Sequence, residues 1–199
     1  MAKLSIIYYS TYGHAYKMAK VIAEAAEAKG ADVRVRKVKE LIPNDVIEGN
    51  DGMKTGADLQ RDVPEATNDD LVWADAVVFG SGTRYGNMTA QLKNFLDQTG
   101  PLWNEGKLIG KLAGFYTGTS TIHGGQESTI LTMSTFAYHM GMLIVPVGYG
   151  LEAVSKTEGG GSPYGASYLA SEGEFSDDET AVARYLGEMI VGYADKLAS

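Results

Sequence analysis

Five short apolar runs alternate with amphipathic stretches along the chain. The runs cover residues 4–9, 32–39, 74–80, 111–117 and 142–147. Runs of this length that are rich in aliphatic and aromatic residues are typical of buried strands. The stretches between them place apolar residues at helical spacing. Strands and helices that alternate in this way predict an α/β fold, with a parallel sheet covered by helices.

The predicted helices cover residues 16–29, a short turn at 67–73, a stretch after residue 87, residues 126–140 and a last helix after residue 176. Ser176 and Glu179 form the pattern of a capping box at the start of the last helix. The acidic run at 177–179 suits the positive end of the helix dipole, so it needs no catalytic explanation.

Three of the predicted strands lead directly into small polar loops that contain glycine. These loops begin at Ser10, Ser81 and Thr117. Ligands of open α/β sheets bind beyond the carboxyl ends of the strands, where the strand order reverses. Alternation predicts a doubly wound, five-stranded parallel sheet with helices on both faces. If its strand order is flavodoxin-like, the three loops meet at this edge.

The first loop, residues 10–15, joins a predicted strand to a predicted helix. The first amides of a helix have no partner within it, and the helix dipole favours negative charge there. Hydroxyl groups from Ser10, Thr11 and Tyr12 add donors, and Gly13 allows a ligand to approach the backbone. No Lys or Arg lies in this turn. It suits either a phosphate held by neutral donors or an ordinary helix N-cap.

Composition limits the remaining classes of function. The length of 199 residues suits a single domain, 1–199, in which 41–66 and 148–175 are surface excursions. The absence of cysteine excludes disulfides and thiolate chemistry, so redox activity would need a cofactor. The net charge of −8 argues against nucleic acid and anionic membranes as partners. With no apolar run near the ~20 residues that span a bilayer and no signal peptide, we expect no stable membrane insertion and a cytoplasmic location.

Several catalytic motifs do not occur in the sequence. There is no Gly-Lys-Ser/Thr phosphate loop, no complete dinucleotide fingerprint and no His-Glu-x-x-His. The histidines His14, His123 and His139 lie on separate segments, so we predict no metal site and no dedicated catalytic residue. Three glycine-bearing polar loops with nearby aromatic residues suit a mononucleotide with a flat aromatic head, such as FMN.

Further motifs occur in order along nearly the whole chain. They are Tyr8-Tyr9-Ser10-x-Tyr12-Gly13-His14, Thr83-Arg84-Tyr85-Gly86-Asn87-Met88, Phe95-Leu96-Asp97-Gln98-Thr99-Gly100 with Leu102-Trp103, Gly124-Gly125-Gln126-Glu127, Val145-Pro146-x-Gly148-Tyr149 and Ser162-Pro163-Tyr164-Gly165-Ala166. Each is weak alone, but together they resemble the WrbA family of flavodoxin-like NAD(P)H:quinone oxidoreductases.

The resemblance implies an FMN held by the three loops. The phosphate would be bound by Ser10, Thr11, Tyr12, Gly13, His14 and Ala15. The isoalloxazine ring would be bordered by Thr83, Arg84, Tyr85, Gly86 and Asn87. The ribityl chain and the pyrimidine edge of the ring would meet Thr117, Gly118, Thr119, Ser120, Thr121 and Ile122.

The resemblance also assigns roles to residues outside the three groups of FMN contacts. It implies a homotetramer in which His139 reaches the cofactor of a neighbouring subunit. Tyr12 would lie near the nicotinamide of NADH or NADPH, and Trp103 would form a wall of the quinone pocket. The implied reaction is a two-electron, ping-pong reduction of quinones to hydroquinones.

Two other functions remain compatible with the residues. One is a flavodoxin-type carrier that moves single electrons between protein partners. The other is a scaffold or regulatory protein with vestigial flavin binding. The long excursions favour the enzyme, because contacts between subunits would close a substrate pocket around the flavin edge. The sequence leaves the choice between NADH and NADPH open.

Overall fold

A computed structural model describes residues 1–170 and 173–198. The strands in these residues are β1 (Lys3–Tyr9), β2 (Asp32–Lys37), β3 (Ala76–Gly82), β4 (Leu112–Thr119), β5 (Leu143–Ile144) and β6 (Ala166–Leu169). The helices are α1 (His14–Ala28), α2 (Asn44–Glu48), α3 (Asp51–Leu59), α4 (Asn68–Trp73), α5 (Ala90–Asp97), α6 (Gly100–Asn104), α7 (Gln126–His139), α8 (Glu152–Lys156) and α9 (Asp177–Leu197).

The strands form one parallel sheet in the order β2-β1-β3-β4-β5, with β6 also paired to β4. This order confirms the predicted flavodoxin-like α/β fold. Apolar side chains fill both faces of the sheet. Met18, Ile22 and Leu186 lie in the core that α1 and α9 cover, whereas Leu92 and Ile130 belong to the core under α5 and α7. Each such side chain contributes roughly 1.5–3 kcal/mol on burial.

The fifth position of the sheet differs from the prediction. The strand expected at 142–147 pairs with β4 through Leu143 and Ile144 alone. The sheet position is then completed by β6, which lies in the 148–175 segment that the sequence predicts as a surface excursion. Pro146 has no N–H to continue a ladder, so the chain leaves the sheet there and returns about twenty residues later. The same segment contains α8.

The 41–66 segment is also more ordered than the sequence indicates. It forms α2 and α3, which are largely exposed. The side chain of Asn50 caps α3 by accepting a hydrogen bond from the Met53 N–H at 3.0 Å. Gly52 and Gly56 lower the helical propensity of α3, which explains why its periodicity is weak in the sequence.

Three strands end side by side at one edge of the sheet. Tyr9 is the register partner of Ser81, and Ser81 is the register partner of Thr117. This arrangement confirms that the three loops leave the sheet together. The strands extend further than predicted, however, because β3 continues to Gly82 and β4 continues to Thr119. Residues 117–119 are therefore strand residues, and the third loop proper begins at residue 120.

Candidate functional site

A cleft opens at the edge where β1, β3 and β4 end, and we call it the sheet-edge cleft. It contains residues from all three predicted loops and from the segment around β6. Its lining consists of Tyr9, Ser10, Thr11, Tyr12, His14, Ala15, Gly82, Thr83, Arg84, Thr89, Gly118, Thr119, Ser120, Tyr168 and Ala170.

The first loop presents free amides to this cleft. The N-cap of α1 is Gly13, with a φ of 89° and no side-chain cap. Within the described residues, the N–H groups from position 11 to position 15 donate to no other group. Amides without partners at the start of a fifteen-residue helix form an anion site. The structure therefore favours the phosphate interpretation of this loop over the side-chain N-cap interpretation.

Two buried tyrosines support the first turn from below. The Tyr116 hydroxyl donates a hydrogen bond of 2.8 Å to the Ala15 carbonyl. The ring of Tyr168 stacks on the imidazole of His14, with 6.3 Å between ring centroids. Burial raises the pKa of both phenols, so they stay neutral, and burial together with the Lys17 ammonium lowers the pKa of His14. Burial therefore favours the uncharged form of each of these three side chains.

Arg84 connects the first loop to the second. One guanidinium nitrogen, Nη2, donates to Thr11 Oγ1 at 3.2 Å, and Nη1 donates to the Thr83 carbonyl at 2.9 Å. Among the described residues that line the cleft, Arg84 alone carries a guanidinium or ammonium group. A single guanidinium beside neutral amides is suited to an anionic ligand that bears a phosphate.

The second loop is a tight turn. Arg84 and Asn87 exchange backbone hydrogen bonds of 2.7 and 3.0 Å, and the two residues between them have positive φ angles. The non-glycine member, Tyr85, has a φ of 54° and a fully exposed side chain. Left-handed backbone at such a residue stores strain of about 1–3 kcal/mol and is frequent at ligand sites. Tyr85, Gly86 and Asn87 therefore form a rim beside the cleft and not its lining.

The predicted contacts at 117–122 differ in where the structure places them: some line the cleft and others do not. Gly118, Thr119 and Ser120 line the cleft. Thr117 is fully buried, and its hydroxyl donates to the Ser81 carbonyl at 2.7 Å, so its side chain ties β4 to β3. Thr121 and Ile122 are exposed beyond the lining.

Three other predicted positions lie outside the lining of the cleft. Gly13 forms the cap of α1, where its backbone contributes an amide. His139 is exposed at the last residue of α7, and Trp103 is 62% exposed in α6. The structure of one chain therefore does not bring His139 or Trp103 into the cleft.

Several lining residues are missing from the sequence prediction. Tyr168 and Ala170 belong to β6 and the residue after it, which has too little apolar alternation to be recognised as a strand. Thr89 is the N-cap of α5, and it exchanges hydrogen bonds with the Ser81 hydroxyl. These contacts hold the start of α5 next to the cleft. Tyr9 is visible in the sequence as the last residue of the first apolar run, directly before the loop.

Comparison with known proteins identifies the family. Residues 3–154 match the family described as NADPH-dependent FMN reductase. Proteins named NAD(P)H dehydrogenase (quinone) are similar along most of their length. The one from Geotalea uraniireducens is 44% identical over 98% of this chain and 99% of its own, and the one from Deinococcus radiodurans is 44% identical over 92% and 90%.

A solved structure supports the fold. The flavodoxin described as a WrbA-like protein from Agrobacterium tumefaciens has a TM-score of 0.69 at 23% identity, covering 98% of this chain and 99% of that one. The chain belongs to the NADPH-dependent FMN reductase family, and its resemblance to the WrbA-type quinone oxidoreductases is confirmed.

Membrane-spanning helices and metal-binding clusters are both absent from residues 1–170 and 173–198, the part of the chain that the structure describes. No helix in this part of the chain is both long and apolar enough to span a bilayer. No group of three or more His, Asp or Glu side chains in the same residues is arranged to hold a metal ion.

Proposed function

We propose that this protein is an FMN-dependent NAD(P)H:quinone oxidoreductase that reduces quinones to hydroquinones by two electrons. The observation that carries the proposal is the set of unpartnered amides at 11–15, which lies at the same sheet edge as the ends of β3 and β4. The relatives that are 44% identical carry the name of this activity. The donor set suits the phosphate of FMN, because it offers neutral N–H and hydroxyl groups and one guanidinium.

Each part of the cleft has a role in this function. The amides of the first turn and the hydroxyls of Ser10 and Thr11 would bind the phosphate, and Gly118 to Ser120 would contact the ribityl chain. The turn at 84–87 would border the flat ring. Bound FMN supplies the hydride and two-electron chemistry, which the amino-acid side chains of this chain lack.

The third loop stabilises negative charge. Within the described residues, the N–H groups of residues 120–122 donate to no other group. Amides that are fixed before the reaction stabilise developing charge without the cost of reorganisation. We assign these amides to the pyrimidine edge of the ring, where negative charge accumulates when the flavin is reduced. No side-chain acid or base is needed for this role.

The proposal includes a cytoplasmic homotetramer in which each chain is one domain of residues 1–199. Subunit contacts would bring His139 of a neighbouring chain to the flavin and would place Trp103 against the quinone. Tyr12, which is 48% exposed at the cleft, would lie beside the nicotinamide of NADH or NADPH. Large aromatic groups that are exposed in one chain, such as Tyr85 and Trp103, support such contacts.

The decisive experiment is a set of spectra and turnover measurements on the purified protein. We expect it to bind added FMN, oxidise NADH or NADPH, and pass both electrons to benzoquinone, with parallel double-reciprocal plots typical of ping-pong kinetics. Removal of FMN should abolish turnover, and its return should restore it. Full activity without flavin would overturn the proposal. A stable semiquinone together with negligible NAD(P)H oxidation would instead support the single-electron carrier.

A further inference from the structure

We propose that Gln60 is a positioning residue for the phosphate end of FMN. It fixes the peptide between Ser10 and Thr11 so that the Thr11 N–H faces the anion. This inference rests on the proposed function, because it concerns how the same cleft holds the flavin phosphate. Gln60 lies fifty residues from the phosphate turn in sequence and does not line the sheet-edge cleft.

The contact between Gln60 and the turn is buried and direct. Gln60 is 6% exposed, and its Nε2 donates a hydrogen bond of 2.7 Å to the Ser10 carbonyl. Gln60 is the C-cap of α3 and directly follows the last helical residue, Leu59. Its own carbonyl accepts a hydrogen bond of 2.8 Å from Lys37 Nζ at the end of β2. The backbone that carries this amide is therefore anchored to the sheet.

The geometry of the peptide between Ser10 and Thr11 links this hydrogen bond to the orientation of the Thr11 N–H. The peptide group is planar and trans, so the C=O of Ser10 and the N–H of Thr11 point to opposite sides. Gln60 holds the carbonyl on the side of α3. The N–H then points away from the Gln60 amide, and the proposal places it in the sheet-edge cleft, which Ser10 and Thr11 both line. Without the Gln60 donor, the Ser10 carbonyl would lose the hydrogen bond that orients this peptide, and the Thr11 amide would be held less strictly.

Close packing of α3 against the turn supports the same role. A β-carbon at Gly56 would lie 2.5 Å from the Thr11 carbonyl oxygen and 2.7 Å from Tyr12 Cα. On the other side, a β-carbon at Gly13 would lie 2.9 Å from Leu59 Cδ2. At Gly56 the backbone of α3 therefore packs directly on the backbone of Thr11 and Tyr12, and the Leu59 side chain packs on Gly13 beside it. Helix α3 and Gln60 act together as a support behind the phosphate turn.

Comparison of FMN with riboflavin separates positioning from simple structural support. Riboflavin has the same ring and ribityl chain but lacks the phosphate. We expect Gln60→Leu to weaken FMN binding about tenfold, the loss of roughly one oriented charge-assisted hydrogen bond. Riboflavin affinity should change by less than about twofold. The matched control is Gln98→Leu, which removes an exposed side chain-to-backbone hydrogen bond and should leave both affinities unchanged.

A second variant tests the support without altering Gln60. Gly56→Ala raises the helical propensity of α3 but forces the helix away from the turn. It should also weaken FMN binding selectively. Gly192→Ala in α9, where an added β-carbon meets nothing within 4 Å, is its control. If Gln60→Leu does not fold, Gln60→Met keeps the volume without the donor, and Gly56→Ala gives an independent comparison.

The outcomes distinguish the two proposals. Equal losses for FMN and riboflavin, or no loss for either, would overturn the positioning role while leaving the oxidoreductase intact. A wild-type protein that binds neither flavin would overturn the proposed function itself. A selective loss of FMN affinity in both Gln60→Leu and Gly56→Ala, with unchanged controls, is the result that supports the inference.

Discussion

The ring of Tyr168 lies across the backbone of Gly118, its register partner on β4. A β-carbon at Gly118 would come within 2.0 Å of Tyr168 Cζ. The same relationship occurs between β3 and β4, two residues earlier on β4. There, a β-carbon at Gly80 would lie 2.0 Å from Cζ of its register partner Tyr116. Each glycine leaves the space in which a tyrosine ring lies flat on the sheet. These two rings form the base beneath the phosphate turn.

Gly118→Ala should displace Tyr168 from this base. We expect a loss of about 1–3 kcal/mol in the free energy of unfolding, because the buried ring has no free space to enter. The measurement is urea denaturation, with FMN affinity as a second readout. Tyr168→Leu provides the test of mechanism. The loss in the double variant should be smaller than the sum of the two single losses, and simple additivity would contradict a direct clash.

Tyr8 and Tyr116 allow a comparison of how much a buried hydroxyl contributes to the free energy of unfolding with and without a hydrogen-bond partner. Tyr8 Oη is buried and has no hydrogen-bond partner among the described residues, whereas the Tyr116 hydroxyl donates to the Ala15 carbonyl. Tyr8→Phe should be neutral or raise the free energy of unfolding by about 1 kcal/mol, since it removes an unsatisfied polar group. Tyr116→Phe should lower it by about 0.5–1.5 kcal/mol. Thermal and urea unfolding test the sign, and a marked loss in Tyr8→Phe would contradict the structure.

Asp70 should make stability depend on pH. Burial opposes ionisation of its carboxyl, but hydrogen bonds from Thr67 and the guanidinium groups of Arg36 and Arg34 outweigh this, and the net pKa lies below its usual value. The ionised group therefore stabilises the fold above the unfolded pKa of about 4, and this contribution disappears as the pH falls through the folded pKa.

Asp70→Asn should thus cost roughly 1–3 kcal/mol near pH 7, with a smaller difference from wild type in strong acid. Urea titrations at several pH values measure this convergence. Asp97→Asn, which removes an exposed ion pair with Lys93, is the control and should change stability by less than about 0.5 kcal/mol. A pH-independent difference between wild type and Asp70→Asn would refute the electrostatic explanation.

Arg84→Met should weaken FMN binding and reduce its sensitivity to salt. The guanidinium is the one fixed positive charge among the described lining residues, and it already contacts Thr11 in the phosphate turn. We expect about a tenfold loss at low ionic strength that shrinks as added salt screens the wild-type interaction. Fluorescence titration of FMN at two salt concentrations measures both effects. Arg184→Met, at an exposed position of α9, is the control.

The sequence predicts the framework well, because long periodic segments carry strong local signals. The helix predicted at 126–140 is α7, Gln126–His139, and the capping box of Ser176 and Glu179 begins α9 as expected. Alternation predicts the parallel sheet, whereas the meeting of three loops at one edge also depends on the flavodoxin-like strand order that the structure shows. Short elements are different: β6 and α3 lack a recognisable period, since four residues or two helical glycines give little local signal.

By itself, the sequence determined a parallel α/β sheet, a phosphate-suited first turn and the family motifs, since these depend on local patterns of apolar, hydroxyl and glycine residues. Tertiary structure alone decided which side chains reach the cleft. The Thr117 hydroxyl bonds to β3 and does not face the cleft, and Tyr168 comes from β6, which completes the sheet. Gln60 hydrogen-bonds to the Ser10 carbonyl from α3. Those contacts join residues up to about fifty positions apart, and no local pattern specifies the packing that brings them together.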